Sequence, residues 1–296
     1  MQEHLRDVWA SSVEELAGAE RELDGGVEIN PTMARFTMSG DRGQAVITVR
    51  FTADGGLDGY AADVSAVQGI SNVVVACPPD RRDDVAAVYT SLLGEDRWRV
   101  PRLVFGEGRR HVPPQWPDPE RPQQLHLDVR VPDLDEADAL VIARGARLLH
   151  DAGGFRIYED PVGHPFCVYP GAEGSRGVLW RIVIDCFSPR SLAAFYRAVL
   201  GMQNVVEDSL ERVVVAGREP DGPLLAFQRA PIYVAPRWPD PSFPQQIHLD
   251  LKFDDRASVQ DLAERLGAVP LPPQGGSCPV YADPAGHPFC LGLPAE

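Results

Sequence analysis

A long internal repeat constrains the fold of this chain more than any other feature. The segment WPDPERPQQLHLD at residues 116–128 returns as WPDPSFPQQIHLD at residues 238–250, an offset of 238 − 116 = 122 positions. A second segment, EDPVGHPFC at 159–167, returns as ADPAGHPFC at 282–290, an offset of 290 − 167 = 123. Two motifs repeated in the same order indicate a duplicated unit. A chain of 296 residues is long enough for two such units, each with its own core.

Each copy has the pattern of two β-α-β-β-β halves. Helical spacing of apolar residues predicts helices over 85–94 and 135–144 in copy one, and over 192–201 and 256–266 in copy two. Apolar β-type runs precede these segments, and the Asp-Pro-x-Gly sequences predict hairpin turns. The linker composition of residues 170–177 separates the copies. We therefore predict an α+β protein with one domain over 68–172 and another over 176–296, each forming an open curled sheet.

Residues 1–62 stand outside the repeat and are predicted to be a small α+β accessory segment. Apolar residues between Leu5 and Leu16 recur at helical spacing, which favours an amphipathic helix. Two β-type runs follow, over residues 34–38 and 44–51.

Composition and charge exclude several classes of partner. The formal net charge of −15 disfavours nucleic acid and anionic membranes, since both would repel the surface. No apolar run approaches the roughly 20 residues that span a bilayer, and no signal sequence begins the chain. Five cysteines without an export signal favour reduced thiols. These features predict a cytoplasmic protein without membrane or nucleic-acid partners.

Three motifs carry a family resemblance over residues 68–296. They are Phe195-Tyr196 with Leu200-Gly201, the QQxHLD segment and the DPxGHPFC segment. Together they resemble the vicinal oxygen chelate superfamily, in particular the actinobacterial glyoxalase-like proteins. The resemblance implies tandem glyoxalase-like domains, but it leaves the chemistry open, because this scaffold hosts isomerases, dioxygenases, thiol transferases and non-catalytic antibiotic-binding proteins.

Strand alternation predicts which side chains line the cavity of each copy. Successive residues of a strand point to opposite faces, so the polar set of each QQxHLD strand lies opposite the apolar set. The polar sets are Gln124, His126 and Asp128 in copy one, and Gln246, His248 and Asp250 in copy two. By the same rule Cys167 and Cys290 face the cavities, and Arg181 lies opposite a face shared by Trp180, Ile182 and Ile184.

The resemblance also implies where a metal would be held. Family metal sites take one ligand from each of four strands; here the four positions of copy two are Arg181, about Gln228, His248 and Cys290. Copy one has Val73 or Val74 first, then His126 and Cys167. Because Arg cannot coordinate a metal, no standard metal site is expected. If a divalent metal (Zn, Fe or Mn) binds, His248 and Cys290 are its expected ligands.

Three functions stay open from the sequence. The first is binding of a small organic ligand, such as an antibiotic or secondary metabolite, with Trp116 and Trp238 as lids over the cavity residues. The second is a lyase or isomerase in which His248 is the acid/base and Arg181 binds a substrate oxygen. The third is a scaffold in which both copies have lost their sites. The first predicts a ligand-binding set of Trp116, Gln124, His126, Cys167, Arg181, Gln228, Trp238, Gln246, His248, Asp250 and Cys290.

No sequence feature assigns an oligomeric state. Pairing of domains within one chain would give a monomer, and the alternative is a homodimer. His164 and His287 follow the Asp-Pro-x-Gly turns and are expected to bond the hairpin backbone rather than a ligand.

Overall fold

The computed structural model describes most of the chain beyond residue 66. The described residues there are 67–94, 101–107, 111–118, 120–172, 174–202, 204–217, 222–240, 242–243, 245–253, 256–272 and 278–292. Before residue 67 only the strands between residues 22 and 65 are described. The chain divides into two compact units, Met1–Ala66 and Val67–Glu296.

The first unit contains one antiparallel sheet. Its strands are β1 (Glu22–Leu23), β2 (Glu28–Asn30), β3 (Met33–Gly40), β4 (Gly43–Phe51) and β5 (Leu57–Ser65). They lie in the order β1-β3-β4-β5, with β2 paired to β3. The two strands predicted over 34–38 and 44–51 are thus confirmed as parts of β3 and β4. The helix predicted between residues 5 and 16 lies outside the described residues.

The second unit is built from four modules that share one plan. Module 1 has β6 (Val67–Cys77), a 3-10 turn (Pro79–Arg81), α1 (Arg82–Leu93) and β7 (Arg102–Glu107). Module 2 has β8 (Leu125–Val131), α2 (Leu134–Ile142), β9 (Arg147–Asp151), β10 (Arg156–Glu159) and β11 (Pro165–Pro170). Each module pairs its first strand in parallel with its last.

Modules 3 and 4 repeat this plan in the second copy. Module 3 has β12 (Val178–Cys186), α3 (Pro189–Leu200), β13 (Asn204–Asp208), β14 (Arg212–Ala216) and β15 (Leu224–Arg229). Module 4 has β16 (Ile247–Phe253), α4 (Arg256–Arg265), β17 (Val269–Pro270), β18 (Val280–Ala282) and β19 (Pro288–Leu291). The four helices predicted within the repeat are present, and the described part of the chain has no helix long and apolar enough to cross a membrane.

The modules pair across the copies, not within them. Modules 2 and 3 form the eight-stranded sheet β13-β14-β15-β12-β8-β11-β10-β9, which we call the central sheet. Modules 1 and 4 form the six-stranded sheet β17-β18-β19-β16-β6-β7, which we call the outer sheet. Each sheet has an antiparallel seam between two modules, β12 with β8 and β16 with β6. The expectation that the two halves of one copy share a sheet is therefore corrected.

Connection length explains this pairing. Only residues 171–177 join β11 to β12, and a connection this short keeps modules 2 and 3 in one sheet. Residues 108–124 and 230–246 are long enough to carry the chain from one sheet to the other. Gly177 marks the start of β12, where a Cβ would overlap the carbonyl oxygen of Leu92, so only glycine permits this close approach.

The core lies between the helices and one face of each sheet. Helix α3 shows the pattern best, because Leu192, Phe195, Tyr196, Val199 and Leu200 form one buried stripe. Pro189 in its first turn and Gly201 at φ 64° define its ends. The predicted apolar faces of β8 and β16 pack in this core. The opposite face of each sheet, which carries His126 or His248, we call the inner face.

Candidate functional site

A buried ion pair occupies the seam of the central sheet. Asp128 of β8 lies directly opposite Arg181 of β12. The Arg181 Nε donates to Asp128 Oδ2 at 2.7 Å, and the two side chains are only 6% and 2% exposed. Because both charges are removed from water, each depends on the other for compensation.

His126 and Cys167 complete a compact cluster around Asp128. One donor atom from each of these three side chains lies within 4.8 Å of the other two. The His126 Nε2 is 3.6 Å from Asp128 Oδ1. Burial, and then the neighbouring Asp128 charge, raise the pKa of the Cys167 thiol well above its usual value. Cys167 is therefore a protonated thiol at neutral pH.

Asp185, which the sequence did not single out, is a second buried acid on this inner face. Its Oδ2 accepts from the side-chain amide of Gln123 at 2.7 Å. Burial raises the pKa of Asp185, although the charges of His126 and the bond from Gln123 oppose the shift. Its sequence signal is a carboxylate four residues after Arg181 on a mostly apolar strand, which places both side chains on one face. We call His126, Asp128, Cys167, Arg181 and Asp185 the central site.

A β-bulge brings Trp180 to the edge of this site. The pairing of β12 with β8 skips Trp180, between Leu179 opposite Val129 and Arg181 opposite Asp128. The guanidinium carbons of Arg181 and Arg130 each lie 3.6 Å from the centroid of the Trp180 ring. The alternation rule, which placed Trp180 with the core residues, is wrong at this position because the bulge inserts one residue.

The outer sheet repeats the arrangement without the arginine. Asn72 lies opposite Asp250, and its amide nitrogen donates to Asp250 Oδ2 at 2.9 Å. His248 Nε2 is 3.5 Å from Asp250 Oδ1, and donor atoms of His248, Asp250 and Cys290 lie within 4.8 Å of one another. Burial alone would raise the pKa of Asp250, but hydrogen bonds from His248 and Asn72 hold it below its usual value. We call Asn72, His248, Asp250 and Cys290 the outer site.

The structure separates residues that the sequence placed together. Arg181 and Gln228 belong to the central sheet, whereas His248 and Cys290 belong to the outer sheet. The set predicted to surround one cavity is therefore split, because module 3 pairs with module 2. Asn72, not Val73 or Val74, occupies the position equivalent to Arg181, because it lies opposite Asp250 as Arg181 lies opposite Asp128.

Comparison with known proteins identifies the family. A family model described as a glyoxalase-like domain matches residues 72–169 and again residues 181–292. The chain belongs to the glyoxalase-like family. It is thereby a member of the vicinal oxygen chelate superfamily, as its motifs suggested. A search of curated proteins gave no match.

One of the following solved structures, a glyoxalase I variant, has a fold similar to that of this glyoxalase-like protein. A glyoxalase I variant from Zea mays is 12% identical with a TM-score of 0.51, and the match covers 75% of this chain and 92% of that one. A fosfomycin resistance protein from Mesorhizobium loti is 13% identical (TM-score 0.29, 39% and 92% covered). A lactoylglutathione lyase from Agrobacterium tumefaciens is 19% identical (TM-score 0.27, 38% and 90% covered). At 12% identity the maize enzyme shows the shared fold and not the reaction.

The two predicted glutamines of the glyoxalase-like domains bond each other. The backbone N–H of Gln124 donates to the side-chain oxygen of Gln246 at 3.0 Å, and that of Gln246 to Gln124 at 3.3 Å. A cleft of about 540 Å³ lies beside this pair, between the connections that precede β8 and β16. Trp116 and Trp238 lie half-buried in these connections, and neither is among the described residues that line the cleft.

The histidines of the hairpin turns bond locally. His164 Nδ1 is 2.9 Å from Asp160 Oδ2, and His287 Nδ1 is 3.2 Å from Asp283 Oδ2. The other oxygen of each aspartate accepts backbone N–H groups of its own turn. Both histidines thus bond the aspartate of their own turn, whereas the sequence predicted a bond to the hairpin backbone.

Proposed function

We propose that the protein binds a small organic ligand on the inner face of the central sheet, without a standard metal site. The observation that carries this proposal is a group of three buried polar atoms, Nδ1 of His126 and Oδ1 of Asp128 and of Asp185. None of them has a hydrogen-bond partner among the described residues. Buried polar atoms in folded proteins are nearly always hydrogen-bonded, so these three atoms call for a bound molecule that supplies their partners.

The chemistry of the face defines the ligand class. Two of the three atoms are carboxylate oxygens, which accept hydrogen bonds, so the ligand should present hydroxyl or amino donors. Val183, Val214 and Ala226 form a separate buried apolar cluster, with Leu224 packed against it. Val183 lies opposite His126 at the seam, which places the apolar cluster next to the polar atoms. A hydroxylated or amino-substituted ring system suits this combination.

Sequestration of an antibiotic or a secondary metabolite of this type is the biological role that we propose. A cytoplasmic location belongs to the same proposal. The buried thiols of Cys77, Cys167 and Cys186 form no disulfide, as expected in a reducing compartment. Pairing of all four modules within one chain also favours a monomer.

Calorimetric titration with a panel of hydroxylated aromatic metabolites, and with their O-methylated analogues, tests the proposal. A binding ligand should lose at least about tenfold in affinity, or 1.4 kcal/mol, on methylation or on Asp185→Ala substitution. Asn72→Ala, at the matched seam of the outer site, should leave binding unchanged. Affinity that depends on Asn72 and not on Asp185 would overturn the proposal, as would a stoichiometric metal ion ligated by His126.

An enzymatic function is the second candidate, and the position of Arg181 changes which histidine would be its acid/base. The residues gathered in one site are His126, Asp128 and Arg181, so the acid/base of a lyase or isomerase would be His126 instead of His248. His126 would take a proton from a carbon beside a carbonyl and return it to the product, while Arg181 stabilised the enolate oxygen. His126→Ala should then abolish turnover and His248→Ala should not; the reverse result would exclude this assignment.

A divalent metal, the cofactor associated with the superfamily, fits the two sites unequally. In the central site the Arg181 guanidinium holds Asp128 and places a permanent cation beside the donor atoms, so a metal ion does not fit. The outer site offers nitrogen, oxygen and sulfur donors from His248, Asp250 and Cys290, a set that suits Zn²⁺. A metal bound there would polarise a ligand oxygen.

A further inference from the structure

A pair of histidines lies outside both sites, where the segment before β8 crosses the hairpin of β10 and β11. The rings of His111 and His164 are 5.0 Å apart between centroids and inclined at 60°. His164 is 1% exposed, and His111 is half-buried. Pro113 packs directly on Gly163 of the hairpin turn, which holds the two segments together.

The hydrogen bonds of the two rings determine their tautomers. His111 Nε2 lies 2.6 Å from the carbonyl oxygen of Val162, and His164 Nδ1 lies 2.9 Å from Asp160 Oδ2. A carbonyl oxygen and a carboxylate only accept, so each of these nitrogens carries the ring proton. His111 Nδ1 and His164 Nε2 are therefore bare acceptors. Both atoms are buried and have no partner among the described residues.

We propose that His111 Nδ1 and His164 Nε2 bind a divalent transition-metal ion of the Zn²⁺, Ni²⁺ and Cu²⁺ class. These ions prefer neutral imidazole nitrogens. Metal-bound histidines commonly donate their second N–H to a carboxylate or a backbone carbonyl, which are the two partners present here. The Asp160 carboxylate supplies nearby negative charge, and burial lowers the pKa of His111, which keeps its imidazole neutral. The site is independent of the ligand proposed for the central sheet.

The second copy provides an internal control. Tyr233 stands in the place of His111, at an offset of 233 − 111 = 122. Its hydroxyl donates to the carbonyl oxygen of Ala285, which is equivalent to Val162 at an offset of 285 − 162 = 123. His287 bonds Asp283 as His164 bonds Asp160. The architecture is the same, but only one imidazole is present.

Equilibrium dialysis of the full chain against Zn²⁺ and Ni²⁺ tests the proposal, with bound metal counted by atomic emission. His111→Tyr copies the second repeat and should fold normally, yet it should bind about one ion fewer per chain. The loss should be the same in a His126→Ala, His248→Ala background, which removes ligands of the central and outer sites. Tyr233→His should add about one ion.

Two results would overturn the proposal. One is unchanged metal content in His111→Tyr; the other is metal that disappears entirely in the His126→Ala, His248→Ala background. A bound water would account for the two nitrogens in either case. Circular dichroism and urea unfolding of each variant show that a loss of metal is not a loss of fold. Metal should also raise the unfolding midpoint of the wild-type chain more than that of His111→Tyr.

Discussion

The central and outer sites occupy equivalent positions in two sheets, yet they differ in charge. Arg181 lies opposite Asp128 at one seam, and Asn72 lies opposite Asp250 at the other. Each seam has a register shift beside this pair, next to Trp180 or Ser71. The two seams therefore share their backbone geometry and differ in the charge of the residue that lies opposite the aspartate.

A second difference lies four residues further along β12 and β6, at 185 − 181 = 4 and 76 − 72 = 4. Asp185 is a buried acid in the central site, whereas Ala76 occupies the equivalent position of the outer sheet and carries no polar side chain. The central site thus combines a fixed cation with two buried carboxyl groups. The outer site is a smaller set of metal-compatible donors with one carboxylate and no fixed cation.

The largest expected effect is on stability at the central seam. Arg181→Met leaves Asp128 as a buried charge without its cation, and should lower the free energy of unfolding by about 3–5 kcal/mol. The matched change Asn72→Leu removes one hydrogen bond and should cost about 1 kcal/mol. Urea unfolding measures both. Adding Asp128→Leu to Arg181→Met should restore most of the loss; equal losses at the two seams would contradict the comparison.

The next largest effect on the free energy of unfolding is expected at the residue beside each register shift, Trp180 or Ser71. Trp180→Ala removes an indole that stacks on two guanidinium groups and should cost about 2 kcal/mol. Ser71→Ala removes the hydrogen bond from the Ser71 hydroxyl to the Asp250 carbonyl oxygen and should cost about 0.5–1 kcal/mol. The same unfolding measurements apply. Trp180→Phe, which keeps an aromatic face, should recover part of the loss, and a full loss in this variant would argue against stacking.

The two sites should also respond to pH in opposite directions. Burial raises the pKa of Asp185 above its usual 3.8, so the folded state binds the proton more strongly than the unfolded state does. Stability from this group falls as pH rises above about 3.8, and Asp185→Asn should remove that fall. Hydrogen bonds lower the pKa of Asp250, so its contribution is present above 3.8 and is lost as pH falls through the lowered value.

Unfolding curves between pH 3 and 7 for Asp185→Asn and Asp250→Asn check this prediction. Asp185→Asn should gain stability relative to wild type at pH 7, and Asp250→Asn should lose it. Each difference should shrink toward acid pH, where both carboxyl groups are protonated. Differences of the same sign would mean that the two environments are not distinct.

The smallest effect tests whether one residue converts the outer site to the central type. Asn72→Arg places a guanidinium opposite Asp250, whose side chain is 21% exposed. A partly solvated pair of this kind should change stability by less than about 1 kcal/mol. It should nevertheless weaken Zn²⁺ binding at His248, Asp250 and Cys290 by placing a cation beside them. Asn72→Gln is the neutral control, and equal Zn²⁺ affinity in both variants would refute the effect of charge.

Local features of the fold followed from the sequence. The repeat identified the family, and strand alternation correctly paired His126 with Cys167 and His248 with Cys290. Alternation failed at Trp180, because a one-residue bulge reverses the faces of a strand and leaves no distinct trace in an apolar run. The position at Val73 or Val74, which the resemblance implied, is also wrong, since Asn72 is the residue opposite Asp250.

The motifs alone could not predict which modules share a sheet. The strands β8 and β16 share the His-Leu-Asp segment and differ elsewhere mostly by similar residues, so β12 is compatible with either of them. The short connection 171–177 was the available signal, because it keeps modules 2 and 3 adjacent. Arg181 was therefore assigned to the wrong histidine even though its face was predicted correctly.

The crossed arrangement of modules also has a consequence for the order of folding. Arg181 and Asp128 are 53 residues apart along the chain, whereas Asn72 and Asp250 are 178 apart. Closing the longer loop costs more entropy, and during synthesis β6 has only β7 as a partner until β16 leaves the ribosome. We expect the central sheet to assemble first. Module 1 should then keep one edge of β6 unpaired until module 4, the last part of the chain, has been translated.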